Sequence, residues 1–132
     1  IPAQFNLNGF PLGNRIRIVG VPNVNADRFS IDLKTDLYGD VAFHFNPRFN
    51  ESCVVRNHTN GGQWNHEERS GGFPFNIGEI FTIDIVNNNG QILVQVNGNG
   101  FTNFLERVPS CAQASTLVID GDVSIHSVQV FA

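Results

Sequence analysis

Short segments in which apolar and polar residues alternate recur along the whole chain, and they constrain the fold more than any other feature. Extended strands place successive side chains on opposite faces, so this period of two is typical of strands with one buried face. No long run has apolar residues at helical spacing. Turn residues such as Asn88-Asn89-Gly90, Asn97-Gly98 and Tyr38-Gly39-Asp40 separate the segments. The sequence therefore predicts an all-β sandwich.

Eight such segments are predicted to form strands, and together they span most of the chain. They are residues 16–19, 29–33, 41–46, 54–57, 80–86, 92–96, 116–119 and 123–130. Asn88-Asn89-Gly90 is the strongest hairpin signal, because it lies between two alternating segments. With 132 residues and no linker or internal repeat, the chain is expected to form one domain over residues 1–132.

The segment 41–48 combines an apolar face with a polar one. Its polar face carries His44, Asn46 and Arg48 at a spacing of two. These side chains offer guanidinium donors, an amide that both donates and accepts, and an imidazole. Such a row suits a ligand rich in hydroxyl groups, and an ordinary half-buried strand that faces water has the same alternation. Pro47 cannot donate to a β-ladder, so it belongs at the end or edge of a strand.

Two further polar segments follow, Val55-Arg56-Asn57 and 64–69. Short connections favour neighbouring strands, so the three polar segments are predicted to lie side by side on one sheet face. Trp64 is the only tryptophan, and its polar neighbours predict an exposed indole. An exposed indole beside hydrogen-bonding groups offers an apolar plate to a sugar ring.

In a strand that runs from Trp64 to Arg69, Glu67 and Arg69 share one face while Glu68 points the other way. Glu67 is then expected to accept from a ligand hydroxyl group while Arg48 or Arg69 holds its remaining lone pairs. A surface ion-pair network without a ligand would have the same composition.

The low charge excludes several classes of partner. Only 15% of residues are charged and the net charge is −4, so the chain lacks a basic footprint for nucleic acid or an anionic membrane. No apolar run approaches the length of a membrane span. Ile1-Pro2-Ala3-Gln4 lacks the features of a secretory signal. The chain also begins without Met, which leaves open a trimmed fragment, a signal removed earlier, or one domain of a longer protein.

Cys53 and Cys111 are the only cysteines, which is too few for a disulfide framework. Cys53 lies in an apolar strand segment, where a reduced cysteine packs as a small hydrophobic residue, so free thiols are expected. Two sequons, Asn50-Glu51-Ser52 and Asn57-His58-Thr59, would accept N-glycans only in the secretory pathway.

Taken together, the three polar segments resemble the carbohydrate-recognition signature of the galectins, a family of β-galactoside-binding lectins. The signature is carried by His44-Phe45-Asn46-Pro47-Arg48, Val55-Arg56-Asn57 and Trp64-Asn65-His66-Glu67-Glu68-Arg69. Residues 25–29, 73–75 and 121–125 are similar to other family segments in the same order. The resemblance therefore covers essentially the whole chain, and its motifs are specific in combination.

The resemblance implies a jelly-roll-like sandwich of two antiparallel sheets, with galactose in a groove on the concave sheet. It implies binding of β-galactosides, such as lactose and N-acetyllactosamine, without a metal ion, a cofactor or catalysis. The axial 4-hydroxyl group that separates galactose from glucose would be recognised by His44, Asn46 and Arg48. The resemblance also implies that Asn57 contacts the 6-hydroxyl group and that Trp64 stacks on the galactose ring. Glu67 and Arg69 would hold the adjoining sugar.

One residue departs from the family pattern, because glycine usually follows this tryptophan and here the residue is Asn65. The change concerns the loop shape and the preference beyond galactose more than galactose binding itself. A glycan on Asn57 would block the groove, so the resemblance implies synthesis outside the secretory pathway. Family members are cytosolic and leave cells by an unconventional route, so both a cytoplasmic and an extracellular location are expected. Multivalency would come from a homodimer, with 123–130 as a plausible pairing edge, or from a second domain.

Three other functions remain open at this point. Jelly-roll glycoside hydrolases need two carboxylates about 5 to 9 Å apart, whereas Glu67 and Glu68 should face opposite ways. A metal site would have to use histidines whose spacing matches no strong zinc pattern, namely His44, His58, His66 and His126. A galectin-like fold that has lost or altered its sugar specificity would be a protein-interaction domain.

Overall fold

The computed structural model describes residues 2–36, 39–107 and 110–132. These residues form two five-stranded antiparallel sheets, a two-stranded ladder and a 3₁₀ turn at Cys111–Gln113. The strands are β1 (Ala3–Asn6), β2 (Arg15–Pro22), β3 (Phe29–Thr35), β4 (Val41–Arg48), β5 (Cys53–Asn57), β6 (Thr59–Asn60), β7 (Gln63–Trp64), β8 (Phe81–Asn87), β9 (Gln91–Val96), β10 (Asn99–Leu105), β11 (Ala114–Gly121) and β12 (Val123–Phe131). The all-β prediction is confirmed, and each of the eight predicted strands overlaps an observed one.

The two sheets have different strand orders. The first sheet runs β1-β11-β3-β4-β5, and the second runs β10-β9-β8-β2-β12. The sequence did not predict β1 and β6, which are only four and two residues long, or β10, in which Gly100 interrupts the alternation. Tyr38 of the predicted Tyr38-Gly39-Asp40 turn lies outside the described residues. No helix in the described part of the chain is long and apolar enough to cross a membrane.

Two tight turns build the second sheet. Asn89 and Gly90 join β8 to β9 with φ values of 47° and 84°, and Asn97 and Gly98 join β9 to β10 with 53° and 81°. A two-residue hairpin of type I′ requires positive φ at both central residues, which asparagine and glycine tolerate. The hairpin predicted at Asn88-Asn89-Gly90 is therefore confirmed.

Phenylalanine pairs join the two sheets across the core. Phe29 of β3 stacks on Phe81 of β8 with ring centroids 5.5 Å apart, and Phe43 of β4 contacts Phe104 of β10 at 5.0 Å. All four side chains are buried. Aromatic pairs of this kind contribute about 0.5 to 1.5 kcal/mol beyond the area that they bury. Because the core face of β4 is fixed in this way, its polar face points away from the core.

The two cysteines are not bonded to each other. Cys53 is half-buried and Cys111 is buried, as the sequence predicted for free thiols. Burial, together with the nearby Glu106 carboxylate, raises the pKa of the Cys111 thiol far above its usual range. Since the thiolate is the reactive form, Cys111 is an inert core residue.

Candidate functional site

A groove of about 540 Å³ lies over the polar face of β4 on the first sheet. Its lining contains six of the seven predicted site residues, namely His44, Asn46, Arg48, Asn57, Trp64 and Glu67. The seventh, Arg69, is not part of the lining. It lies beside the groove and pairs with the carboxylates of Glu67 and Glu51.

Hydrogen bonds hold the polar side chains of β4 in fixed orientations. Asn46 Nδ2 donates to the carbonyl oxygen of Phe29 at 2.7 Å, and Asn46 Oδ1 accepts from Arg48 Nε at 2.9 Å. His44 Nδ1 lies 2.5 Å from Asp32 Oδ1. An ionised carboxylate can only accept, so Nδ1 carries the hydrogen and Nε2 of neutral His44 can accept from a ligand. The row is therefore ordered before any ligand arrives.

Four charged side chains form a closed network at one end of the groove. Arg48 donates to Glu51 at 3.2 Å, and its other terminal nitrogen lies 3.6 Å from Glu67. Arg69 donates to Glu51 at 2.7 Å and to Glu67 at 2.8 Å. Each arginine therefore bridges the two glutamates. The prediction that Arg48 or Arg69 holds Glu67 is confirmed, and both residues do so.

The network also favours the charged forms of Glu51 and Arg69. Hydrogen bonds from Arg69 and Arg48 hold the pKa of Glu51 below its ordinary value of 4.5. The reciprocal bonds from Glu51 and Glu67 raise the pKa of Arg69. Because these side chains are partly exposed, the ion pairs contribute orientation more than stability.

Trp64 lies next to His44 of β4 and is 55% exposed, as the sequence predicted. Its ring centroid lies 4.7 Å from that of His44, with 56° between the ring planes. The segment after it is held by Asn57, whose Nδ2 donates to the carbonyl oxygen of Asn65 at 3.0 Å. Asn57 is only 2% exposed, so it both lines the groove and fixes its rim.

The prediction of a continuous strand from Trp64 to Arg69 is wrong. Trp64 pairs with Thr59 in the β6–β7 ladder, and the next pairing is an isolated bridge between Glu68 and Arg56. Between these two pairings, one side of the ladder runs three positions, from Thr59 back to Arg56, whereas the other side runs four positions, from Trp64 to Glu68. One side thus contains an extra residue, and the ladder is interrupted as in a β-bulge.

The extra residue determines which side chains reach the groove. In an unbroken strand Trp64 and Glu67, three positions apart, would point to opposite faces. Here both line the groove, together with Asn65 between them. The joint presence of the indole and the carboxylate therefore depends on an irregularity that a period-two pattern does not reveal.

Glu68 faces away from the groove, as predicted. Arg107 donates to the Glu68 carboxylate at 3.0 Å and to the carbonyl oxygen of His66 at 3.0 Å. These two hydrogen bonds hold the segment 66–68. The two adjacent glutamates do not face a common ligand. Across the described residues, no three His, Cys, Asp or Glu side chains are close enough together to hold a metal ion.

Sequence reasoning missed several residues of the site. Asp32 orients His44, and Glu51 is the shared partner of Arg48 and Arg69. The available signal was weak: Asp32 alternates with the apolar residues of a predicted strand, and Glu51 is an acid in a turn three residues after Arg48. The groove also contains further unpredicted lining residues, namely Arg28, Phe29, Ser30, Asn65, Asp120 and Gly121.

The geometry of the groove agrees with a comparison of the chain against known families. A sequence model described as "Galactoside-binding lectin" matches residues 2–130. The chain belongs to the galactoside-binding lectin family. Members of this family are noncatalytic carbohydrate binders, so the predictions of a galectin-type domain and of a domain without catalysis are confirmed at the family level.

Individual relatives support the same assignment. The chain is 38% identical over 123 residues to the 32 kDa beta-galactoside-binding lectin of Haemonchus contortus, covering 93% of this chain and 43% of that protein. It is 35% identical to Galectin-7 of Rattus norvegicus, covering 93% and 91%. The structure of the Caenorhabditis elegans galectin LEC-6 superposes with a TM-score of 0.93 at 38% identity, covering 99% and 91%. The chain spans less than half the length of the first relative.

Proposed function

We propose that this chain binds β-galactosides of the lactose and N-acetyllactosamine type in the groove, without a metal ion. The observation that carries the proposal is the ordered polar row of β4 beside the exposed indole of Trp64. An aromatic face accepts the C–H face of a sugar ring, while fixed donors and acceptors select its hydroxyl groups. Family membership supports the class of sugar.

The remaining hydrogen-bonding capacity of the row suits an axial hydroxyl group. A hydroxyl group donates once and accepts up to twice. Arg48 supplies donors, and Asn46 Oδ1 and His44 Nε2 supply acceptors, all on one strand face. Glucose, with an equatorial 4-hydroxyl group, would leave these ordered groups without their partner, which costs affinity. Glu67, held by Arg48 and Arg69, would accept from a hydroxyl group of the adjoining sugar.

The groove is open and lined mainly by polar side chains, so we expect dissociation constants between about millimolar and micromolar, or roughly 4 to 8 kcal/mol. Binding of this strength becomes effective through multivalency. A homodimer or a second domain in the same polypeptide remains the proposed source.

Intrinsic fluorescence during a lactose titration tests the proposal directly, because Trp64 is the only indole. We expect a saturable change with lactose and none with sucrose. The same titration in EDTA should give the same affinity. A flat titration confirmed by calorimetry would overturn sugar binding and leave a protein-interaction domain, and a loss of binding in EDTA would overturn metal independence.

The pH dependence of binding is expected to report the ion pairs of Glu51. Its lowered pKa means that the ionised form and its arginine contacts are present at neutral pH and are lost as the pH falls through that lowered value. We expect Glu51→Gln to bind lactose several-fold more weakly at pH 7. The affinity ratio between wild type and variant should stay constant through pH 4.5 and approach one only as the pH falls below the lowered pKa of Glu51.

Calorimetry at a series of pH values measures this ratio. The charged groups that face Glu51 are Arg28, Arg48 and Arg69. Glu67 is joined to Glu51 through Arg48 and Arg69 and is present in both proteins. A ratio that already changes between pH 7 and 5 would contradict the assignment to Glu51.

The burial of Asn57 supports the proposal that the chain is made outside the secretory pathway. An N-glycan would be attached to Nδ2, the atom that donates to Asn65. Attachment would leave Nδ2 with a single hydrogen and place a glycan at the groove. Asn50, the other sequon residue, is exposed.

A further inference from the structure

The indole of Trp64 is carried by a very small piece of structure. β6 and β7 have two residues each, and Gly61-Gly62 is the turn that joins them. An isolated two-stranded hairpin is marginally stable at best in water. The position of the indole therefore depends on contacts from outside the hairpin.

The carboxylate of Asp40 makes such contacts with both oxygens. Oδ1 accepts from the N–H of Gly62 at 2.8 Å and from the hydroxyl group of Thr59 at 3.0 Å. Oδ2 accepts from the N–H of Gly61 at 2.9 Å. Asp40 is 5% exposed, and its carbonyl oxygen accepts from the N–H of Thr35 at 2.8 Å. Asp40 thus joins the end of β3, through its backbone, to the Gly61-Gly62 turn, through its carboxylate.

Thr59 links the same contact to the binding strand. Its hydroxyl oxygen accepts from the N–H of Val41, the first residue of β4, at 2.8 Å. Thr59 also pairs directly with Trp64 across the hairpin. His44, whose ring contacts the indole, lies on β4 itself. The hairpin and the polar row are therefore held to one another at the start of β4.

We propose that Asp40 is a positioning residue for sugar binding, whose carboxylate holds the Gly61-Gly62 turn and thereby sets the indole of Trp64 against the ring of His44. The inference rests on the proposed function, because it concerns the sugar-stacking side of the same groove. Asp40 is not among the lining residues of the groove, so it acts through the hairpin and not by touching the sugar.

The contacts require a carboxylate at this position. Both oxygens face N–H donors, so an asparagine would turn its own NH₂ group toward a donor of Gly61 or Gly62. The hydrogen bonds from Gly62 and Gly61 lower the pKa of the Asp40 carboxyl. The group is therefore ionised at neutral pH and accepts with both oxygens.

Asp40→Asn is the direct test. We expect about tenfold weaker lactose binding by calorimetry and greater quenching of Trp64 emission by acrylamide. Asp36→Asn is the matched control, because Asp36 is exposed and its carboxylate accepts from the hydroxyl group of Ser115. This control should stay within about twofold of wild type. Unchanged affinity and quenching in Asp40→Asn would overturn the proposal.

A double-mutant cycle separates positioning from a general loss of stability. In a Trp64→Ala background the indole is absent, so adding Asp40→Asn should change the residual lactose affinity by less than about twofold. This affinity is measured by NMR titration to high lactose concentration. An equal tenfold loss in both backgrounds would show that Asp40 does not act through Trp64.

Amide hydrogen exchange in the wild-type chain gives a readout that needs neither a variant nor a sugar. The N–H groups of Gly61 and Gly62 should be protected, since both donate to Asp40. Exchange at the rate of an unstructured peptide would overturn the proposal even if Asp40→Asn failed to fold. Protected amides in a chain that does not bind lactose would overturn the proposed function and leave the anchoring of the hairpin intact.

Discussion

Replacing Arg48 with alanine is expected to weaken lactose binding by about 2 to 3 kcal/mol, or roughly 30- to 150-fold. The guanidinium group donates to Asn46 and Glu51 and lies beside Glu67, and its side chain is only 16% exposed. Its removal takes away a proposed contact with the 4-hydroxyl group. It also takes away the donor to Asn46 Oδ1, leaves Glu67 paired with Arg69, and leaves Glu51 paired with Arg69 and Arg28. The loss therefore exceeds that of one hydrogen bond.

Calorimetry with lactose measures this effect, and two variants control it. Arg17→Ala removes an arginine from the second sheet, where it pairs with Asp84, and should leave affinity within about twofold of wild type. Arg48→Lys keeps the charge but not the planar fork, so it should recover only part of the affinity. Near-normal binding by Arg48→Ala would remove this residue from the site.

Replacing Phe45 with alanine is expected to lower the free energy of unfolding by about 3 to 5 kcal/mol. In sequence, Phe45 lies between the two groove-lining residues His44 and Asn46. Its own side chain points into the core and is completely buried. Its ring contacts the rings of Phe75 and Phe101 across the core. The deletion would leave a cavity that rigid neighbouring strands cannot close. Since small proteins have total stabilities of only about 5 to 15 kcal/mol, much of the margin would be lost.

Urea denaturation followed by circular dichroism gives the free energy, and the midpoint of thermal unfolding should fall by roughly 10 °C. Leu105→Ala is the control, because this apolar residue of β10 is 66% exposed. It should change stability by less than about 0.5 kcal/mol. If Phe45→Ala lowered the free energy of unfolding no more than Leu105→Ala does, the structure around residue 45 would have to collapse around the smaller side chain, which would contradict the prediction.

The polar face of β4 could be predicted because it depends on the geometry of one strand. Once a strand is assigned, the period of two places His44, Asn46 and Arg48 on the same side. The hairpin at Asn88-Asn89-Gly90 was accessible for a similar reason, since its turn chemistry is local. Exposure of Trp64 followed from the polar residues beside it. Each of these features depends on residues a few positions apart.

The supporting contacts could not be predicted, because they join residues that are distant in sequence. Asp32 and His44 are 12 positions apart, and Glu51 and Arg69 are 18 apart. They meet because of strand register and turn geometry, which alternation alone does not specify. For the same reason Arg69 could be recognised as part of the signature but not placed beside the groove.

The extra residue in the segment between Trp64 and Glu68 has an evolutionary consequence. Deleting Asn65 or His66 would place Trp64 and Glu67 two positions apart, so both would stay on the groove face of a regular strand, and the rows of β4 and β5 would be untouched. Substitutions can only change the chemistry of a side chain, whereas such a deletion would change the spacing between the indole and the carboxylate. A length change of one residue is thus a short route by which a descendant of this chain could alter the space between its two proposed sugar contacts and keep both.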